Sequence, residues 1–148
     1  MEARKLTAEE RASALDALRR CGVADDRICV RAVDEAVLVP TLPKLSSIRG
    51  PRSAIAHIAL AARASGITLG RKIYIRSELF GSDGSLDRWL VVHEVAHVVQ
   101  YLRDGHARFL AKYLAEYAAG MARGLKDYDA YLAISYEVEA RRVDSEAR

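Results

Sequence analysis

His93-Glu94-Val95-Ala96-His97 places two histidines four positions apart with a glutamate beside the first. On a helix, residues four apart leave the same face with Cβ atoms about 5–6 Å apart. Two imidazoles so placed can reach one metal ion at about 2.0–2.1 Å each. Glu94 leaves a neighbouring face. It is placed to take a proton from a metal-bound water and is not needed as a further ligand. The chemistry on offer is hydrolysis at a zinc ion. With four histidines in 148 residues, a chance match is expected on the order of once per hundred such chains, so the surroundings must support the motif.

A catalytic zinc takes three protein ligands and keeps one open position. The spacing that would supply a third histidine shortly after the motif is absent, because His97 is followed by Val98-Val99-Gln100-Tyr101. His106 lies beyond Asp104-Gly105. A carboxylate on a later helix is the better donor. Glu137 and Glu139 are both candidates, and Glu116 is a weaker one. Gln100 lies one turn beyond His97, where it either bonds a ligand or substrate backbone or satisfies a buried polar group. Tyr128, Tyr131 and Tyr136 are candidate donors to an oxyanion; packing between helices is the commoner role for any one of them. His57 reads as an ordinary surface or core residue.

These groups need elements to hold them. Leu86, Leu90, His93, His97 and Gln100 fall on one line at helical spacing, and most positions from 89 to 99 are apolar. The pattern predicts a helix from about Leu86 to Arg103, capped by Ser85 after the turn Gly81–Gly84, stopped at Asp104-Gly105 and buried all round. Unpaired polar groups inside such a helix would cost about 1–3 kcal/mol each; a metal would satisfy both histidines. Thr7 and Glu10 form a capping box that predicts a helix to Arg20, with Cys21-Gly22 as its stop. Arg27, Cys29 and Arg31 alternate with Ile28, Val30 and Ala32, which predicts one or two strands over 27–39. Pro40, Pro43, Gly50 and Pro51 mark an irregular connection over 40–53, either a disordered loop or a lip over the site. Residues 54–64 fit a short helix or a strand. Ile67–Leu69 and Lys72–Ile75 read as a hairpin. A helix over His106–Met121 and another after Asp127 complete the chain. There are no repeats or linkers, and the expectation is one α+β domain over residues 1–148.

Composition narrows the function classes. Apolar residues make up 51% of the chain and the net charge is +3, so one core is feasible and charge alone implies no partner. No Lys/Arg cluster interleaves with aromatics, and no nucleic-acid partner is expected. No apolar run approaches the roughly 18 residues of a membrane span, and no membrane association is expected. The charged start lacks the apolar core of a signal peptide, which predicts a cytoplasmic protein, with export by another route left open. Cys21 and Cys29 lack CxxC spacing and read as reduced thiols.

Two resemblances add to these readings. Glu137-Val138-Glu139-Ala140 resembles the ExxA helix of gluzincin-type metallopeptidases, which implies Glu137 as third ligand and Glu139 as its outward or supporting neighbour. Those families often carry an aspartate four positions after the ligand. Here Arg141 stands there, and Asp144 is the nearest substitute. Gly66–Ile75 followed by His93–Gln100 is similar to small bacterial zincin domains with an HExxHxxQ motif, many linked to contractile injection systems and toxin cargo. They commonly carry a second glutamine where this chain has Tyr101. The likeness covers residues 66–105 and 136–140. It implies a zincin-like α+β fold, one Zn²⁺ on His93, His97 and Glu137, Glu94 as general base, and a peptide or protein substrate. The alternative is a zinc-stabilised binding module, or a latent toxin component whose cleft is blocked by the 40–53 connection or the N-terminal helix.

Overall fold

The structure is a computed structural model and describes residues 1–148. A two-residue strand, β1 (Arg4–Lys5), leads into the capping box. The Thr7 side chain accepts from the Glu10 amide while the Glu10 carboxylate accepts from the Thr7 amide, and α1 (Ala8–Cys21) follows. Gly22, in the left-handed conformation at φ 62°, ends it.

The strands expected over 27–39 are mostly a helix. Asp25 accepts from the Ile28 amide and opens α2 (Asp26–Glu35); only β2 (Val37–Val39) is extended. Cys29, Ala32, Val33 and Ala36 are buried, at spacings of three, four and seven, and Arg27, Arg31 and Asp34 face solvent. The alternation in the sequence was compatible with this helical stripe, and the Asp25 cap tips the segment toward the helix.

Residues 40–51 are irregular apart from a single 3₁₀ turn at Leu45–Ser47. The ambiguous alanine-rich stretch is helical, α3 (Arg52–Ala61). The predicted hairpin follows as β3 (Gly66–Leu69) and β4 (Lys72–Ile75), turning at Gly70 with φ 69°. The four strands lie in the order β1-β2-β4-β3, with β2 and β4 parallel and the other neighbours antiparallel. This leaves β3 at one edge, packed against the helix with the HExxH stretch.

That helix is α4 (Arg88–Asp104), and every residue from Leu90 to Tyr101 is buried. Ser85 is not its cap. The Ser85 hydroxyl donates to Asp83 at 2.6 Å, and the helix starts three residues later, after Asp87, without a side-chain cap. Gly105 ends it, and α5 (His106–Ala122) turns back. The helical stretch after Asp127 is two helices, α6 (Asp127–Ala133) and α7 (Ser135–Asp144), broken at the extended, fully buried Ile134. The architecture is α+β, seven helices with a small mixed sheet.

Two apolar cores flank α4. One joins α1, α2, β2, β4, α4 and α7 through residues such as Leu18, Val33, Leu38, Ile73 and Val95. The other joins α3, β3, α5 and the end of α4 through Ile55, Ile67, Tyr101, Phe109 and Tyr113. Cys21 and Cys29 are free thiols. No helix is long and apolar enough to cross a membrane.

Candidate metal centre

His93 and His97 leave α4 on the face that meets α7. There His93 Nε2 lies 3.3 Å from Glu137 Oε1, and His97 Nε2 lies 3.1 Å from Glu137 Oε2. One ligand atom from each of the three side chains falls within 4.8 Å of the others, and all three residues are buried. Ligands bound at 2.0–2.1 Å in a tetrahedral site stand about 3.3 Å apart. The spacing here is close to that.

Each imidazole is held from behind. His93 Nδ1 is 2.8 Å from Asp144 Oδ2, and the other Asp144 oxygen accepts from Arg148 Nε at 3.0 Å. His97 Nδ1 is 2.7 Å from Gln100 Oε1. The Gln100 amide nitrogen donates to the Tyr136 carbonyl at 2.9 Å and to Glu139 at 3.0 Å, which fixes its oxygen toward His97. A carboxylate and an amide oxygen can only accept, so both Nδ1 atoms carry the proton. With both rings neutral, the two Nε2 lone pairs would face the Glu137 carboxylate. Acceptors facing acceptors in a buried space are repulsive unless a cation lies among them. A divalent metal ion meets that demand, and the mixed nitrogen and oxygen donor set suits one.

Protonation tells the same story. Burial alone would lower the His93 pKa, yet Asp144 and Glu137 outweigh it and raise it to about 10. Burial alone would raise Glu137, yet His97 and His93 hold it far below the usual carboxylate range. Glu94, Glu137 and Asp144 are all buried, and together they draw positive charge into the cluster, as a proton or as a metal.

Glu94 faces β3. Its Oε2 accepts from the Thr68 hydroxyl at 2.6 Å. Gly66 passes so close that a Cβ there would stand 3.0 Å from the Glu94 carboxyl carbon. Glu94, His97 and Glu137 share a cavity of about 20 Å³, roofed by Ile55 and Ala59 of α3, Phe109 and Tyr113 of α5 and Tyr131 of α6. That is room for about one water molecule. The edge of β3 beside it is also occupied, since the Tyr101 hydroxyl donates to the Thr68 carbonyl at 3.2 Å.

A family model described as the eCIS core domain matches residues 44–105. The match fits the association with contractile injection systems. It begins before α3 and ends at Gly105, so it takes in His93, Glu94, His97 and Gln100 and stops short of Glu137 and Asp144. No curated protein and no solved structure matches the chain.

The other candidates from the sequence divide. Glu139 accepts from Arg103 at 2.9 Å and from Gln100, away from the histidines. Glu116 binds the amide and hydroxyl of Ser135 at the start of α7, which removes it from the ligand set. Arg141 donates to the Leu132 carbonyl, and Asp144 fills the supporting role that Arg141 cannot. Tyr128 is exposed and the Tyr136 hydroxyl is tied to Asp104 at 2.8 Å, so neither serves the site. Tyr131 does line the cavity. His57 is exposed. Tyr113 was not foreseen. Its hydroxyl donates to Glu137 Oε2 at 3.1 Å. Burial first and Glu137 second push both the Tyr113 and Tyr131 phenols well above their usual pKa, so both stay protonated donors. Only the i, i+4 pair Phe109/Tyr113 on an apolar helix face hinted at its inward position.

Proposed function

We propose that this chain is a zinc metallopeptidase domain of zincin-like build, with His93, His97 and Glu137 as ligands to one Zn²⁺ and Glu94 as general base. The observation that carries the reading is the pair of Nε2 atoms turned on Glu137, each imidazole held from behind by Asp144 or Gln100. When bound, zinc supplies Lewis acidity, polarising a scissile carbonyl and lowering the pKa of coordinated water to about 7. Thr68 holds one oxygen of Glu94. The other takes the proton of the attacking water and passes it to the leaving amine. Tyr131, which lines the cavity, offers a hydroxyl donor to the developing oxyanion, while the Tyr113 hydroxyl donates to Glu137. The substrate class is an extended peptide.

A second reading has its own observation. A cavity of about 20 Å³ admits no peptide, which favours a latent component, or a zinc-stabilised module, covered by α3.

Zinc content and cleavage of an unfolded protein, measured on wild type, Glu94→Gln, His97→Ala and Glu137→Ala, separate the cases. The peptidase reading expects one zinc in wild type and Glu94→Gln, loss of zinc in the other two, and cleavage by wild type alone. Zinc retained with wild type and Glu94→Gln equally inert selects the latent reading. A wild type that does not retain added zinc overturns both.

A further inference from the structure

At the N-terminal end of α3 lies a groove of about 640 Å³ that shares no lining residue with the metal cavity. Arg49, Arg52, Arg71, Lys72 and His106 line it, with Tyr74 and Ile48 as an apolar wall. Its only carboxylate, Glu35, is already engaged by both Arg31 and Arg71. Arg49, Arg52 and Lys72 have no carboxylate partner, whereas eight of the fifteen arginines outside the groove do.

Arg52 is also held in place. Arg52 Nη2 donates to His106 Nδ1 at 2.9 Å. This leaves the imidazole neutral, with its Nε2–H as a further donor. Burial, then Arg52 and Arg71, hold the His106 pKa below its usual value. Gly70 at the β3–β4 turn makes room for the ring: a Cβ there would stand 3.1 Å from His106 Cε1, and its φ of 69° favours glycine independently.

We propose that this groove binds a phosphate ester of nucleotide size. Its volume is in the ordinary range for a small-molecule site, roughly 300–1,000 Å³. Planar guanidinium groups pair with phosphate oxygens in a bidentate fashion. Tyr74 and Ile48 suit a ring or other apolar group beside the phosphates. One aromatic side chain in a short groove does not make the extended stacking track that single-stranded nucleic acid requires.

The test is calorimetric titration of the full chain with ATP in magnesium-free buffer, alongside pyrophosphate and a single-stranded oligonucleotide. The proposal expects one ATP per chain, bound more tightly than pyrophosphate. Lys72→Ala and Arg52→Ala should each weaken ATP about tenfold, the loss of one charge-assisted contact, and exposed Arg123→Ala should leave it unchanged. Lys72 is exposed, so its variant folds even if Arg52→Ala disturbs His106. The proposal is overturned by no ATP binding, by equal weakening in Arg123→Ala, by pyrophosphate binding as tightly as ATP, or by the oligonucleotide binding more tightly than either.

Discussion

Asp144→Ala is the sharpest probe of the proposed zinc site. The substitution removes the acceptor 2.8 Å from His93 Nδ1 and leaves the ligand nitrogen untouched. The ring is then free to turn or to change tautomer. Loss of such a support typically weakens metal binding by about 10–100-fold, or about 1.4–2.8 kcal/mol. The metal-free fold changes too. A charge-assisted bond to His93 contributes about 1.5–3 kcal/mol. Asp144 is the last residue of α7, where a negative charge opposes the helix dipole, and removing it returns about 0.3–1 kcal/mol. The Arg148 partner is more than half exposed and adds little. The net loss of metal-free stability should be about 1–2 kcal/mol. Competition against a chromophoric zinc chelator reads the affinity, and urea denaturation of the metal-free protein reads the stability. Asp144→Asn keeps an acceptor and should recover most of both. Arg141→Ala is the control, since that side chain bonds Leu132. Zinc bound by Asp144→Ala as tightly as by wild type would refute the reasoning, as would an equal loss in Arg141→Ala.

Gly66→Ala would push a methyl group to within 3.0 Å of the Glu94 carboxyl; Glu94 is buried and tied to Thr68, so turnover should be lost while zinc is retained, at about 1–3 kcal/mol of stability by thermal unfolding. Phe109→Ala removes the ring stacked on Tyr101 at 3.9 Å and Tyr136 at 4.4 Å and should cost about 3–5 kcal/mol by urea denaturation. Burial opposes ionisation of Glu10, but bonds from Arg4 and from the Thr7 amide outweigh it and hold the carboxyl below its usual 4.5. The stability Glu10 adds is therefore present above pH 4.5 and lost as pH falls through the lower folded value. Glu10→Gln should cost about 1 kcal/mol at pH 7, and the gap should close in acid; a gap independent of pH would show that the charge is not involved.

How far the sequence reached depends on the range of the interaction. The α4 helix, the Thr7 box and the hairpin at Gly70 are set by residues within one or two turns, and all were legible. α2 was misread because Ile28, Val30 and Ala32 alternate with Arg27, Cys29 and Arg31 over a short run, whereas the buried set is Cys29, Ala32, Val33 and Ala36 at helical spacing. Its Asp25 cap was present in the sequence and points to the helix. Glu137 was found through its neighbours on the same helix. Asp144 was offered only as a substitute for Arg141, yet a signal existed: seven residues is almost two full turns, so positions 137 and 144 share a face. Tyr113 and the roof of Ile55 and Ala59 meet the site only through long-range packing. No local pattern marks them.

That roof bears most directly on function. α3 buries Ile55 and Ile58 at 3% and 8% exposure, and burying an isoleucine contributes about 1.5–3 kcal/mol. Lifting α3 would then cost about 3–6 kcal/mol, so roughly one molecule in 10²–10⁴ would be open unaided. An isolated chain that cleaves only when open would be slowed by the same factor. A partner that accepts the apolar face of α3 on assembly would restore the rate, because a few kcal/mol is what a modest interface supplies. The helix is entered through Gly50-Pro51 and left through Arg63, whose φ is 56°. Arg52 in the basic groove and Ile55 in the roof are three residues apart on this same helix. A ligand held by Arg52 in the proposed phosphate site would sit one helical turn from Ile55, a residue lining the metal cavity.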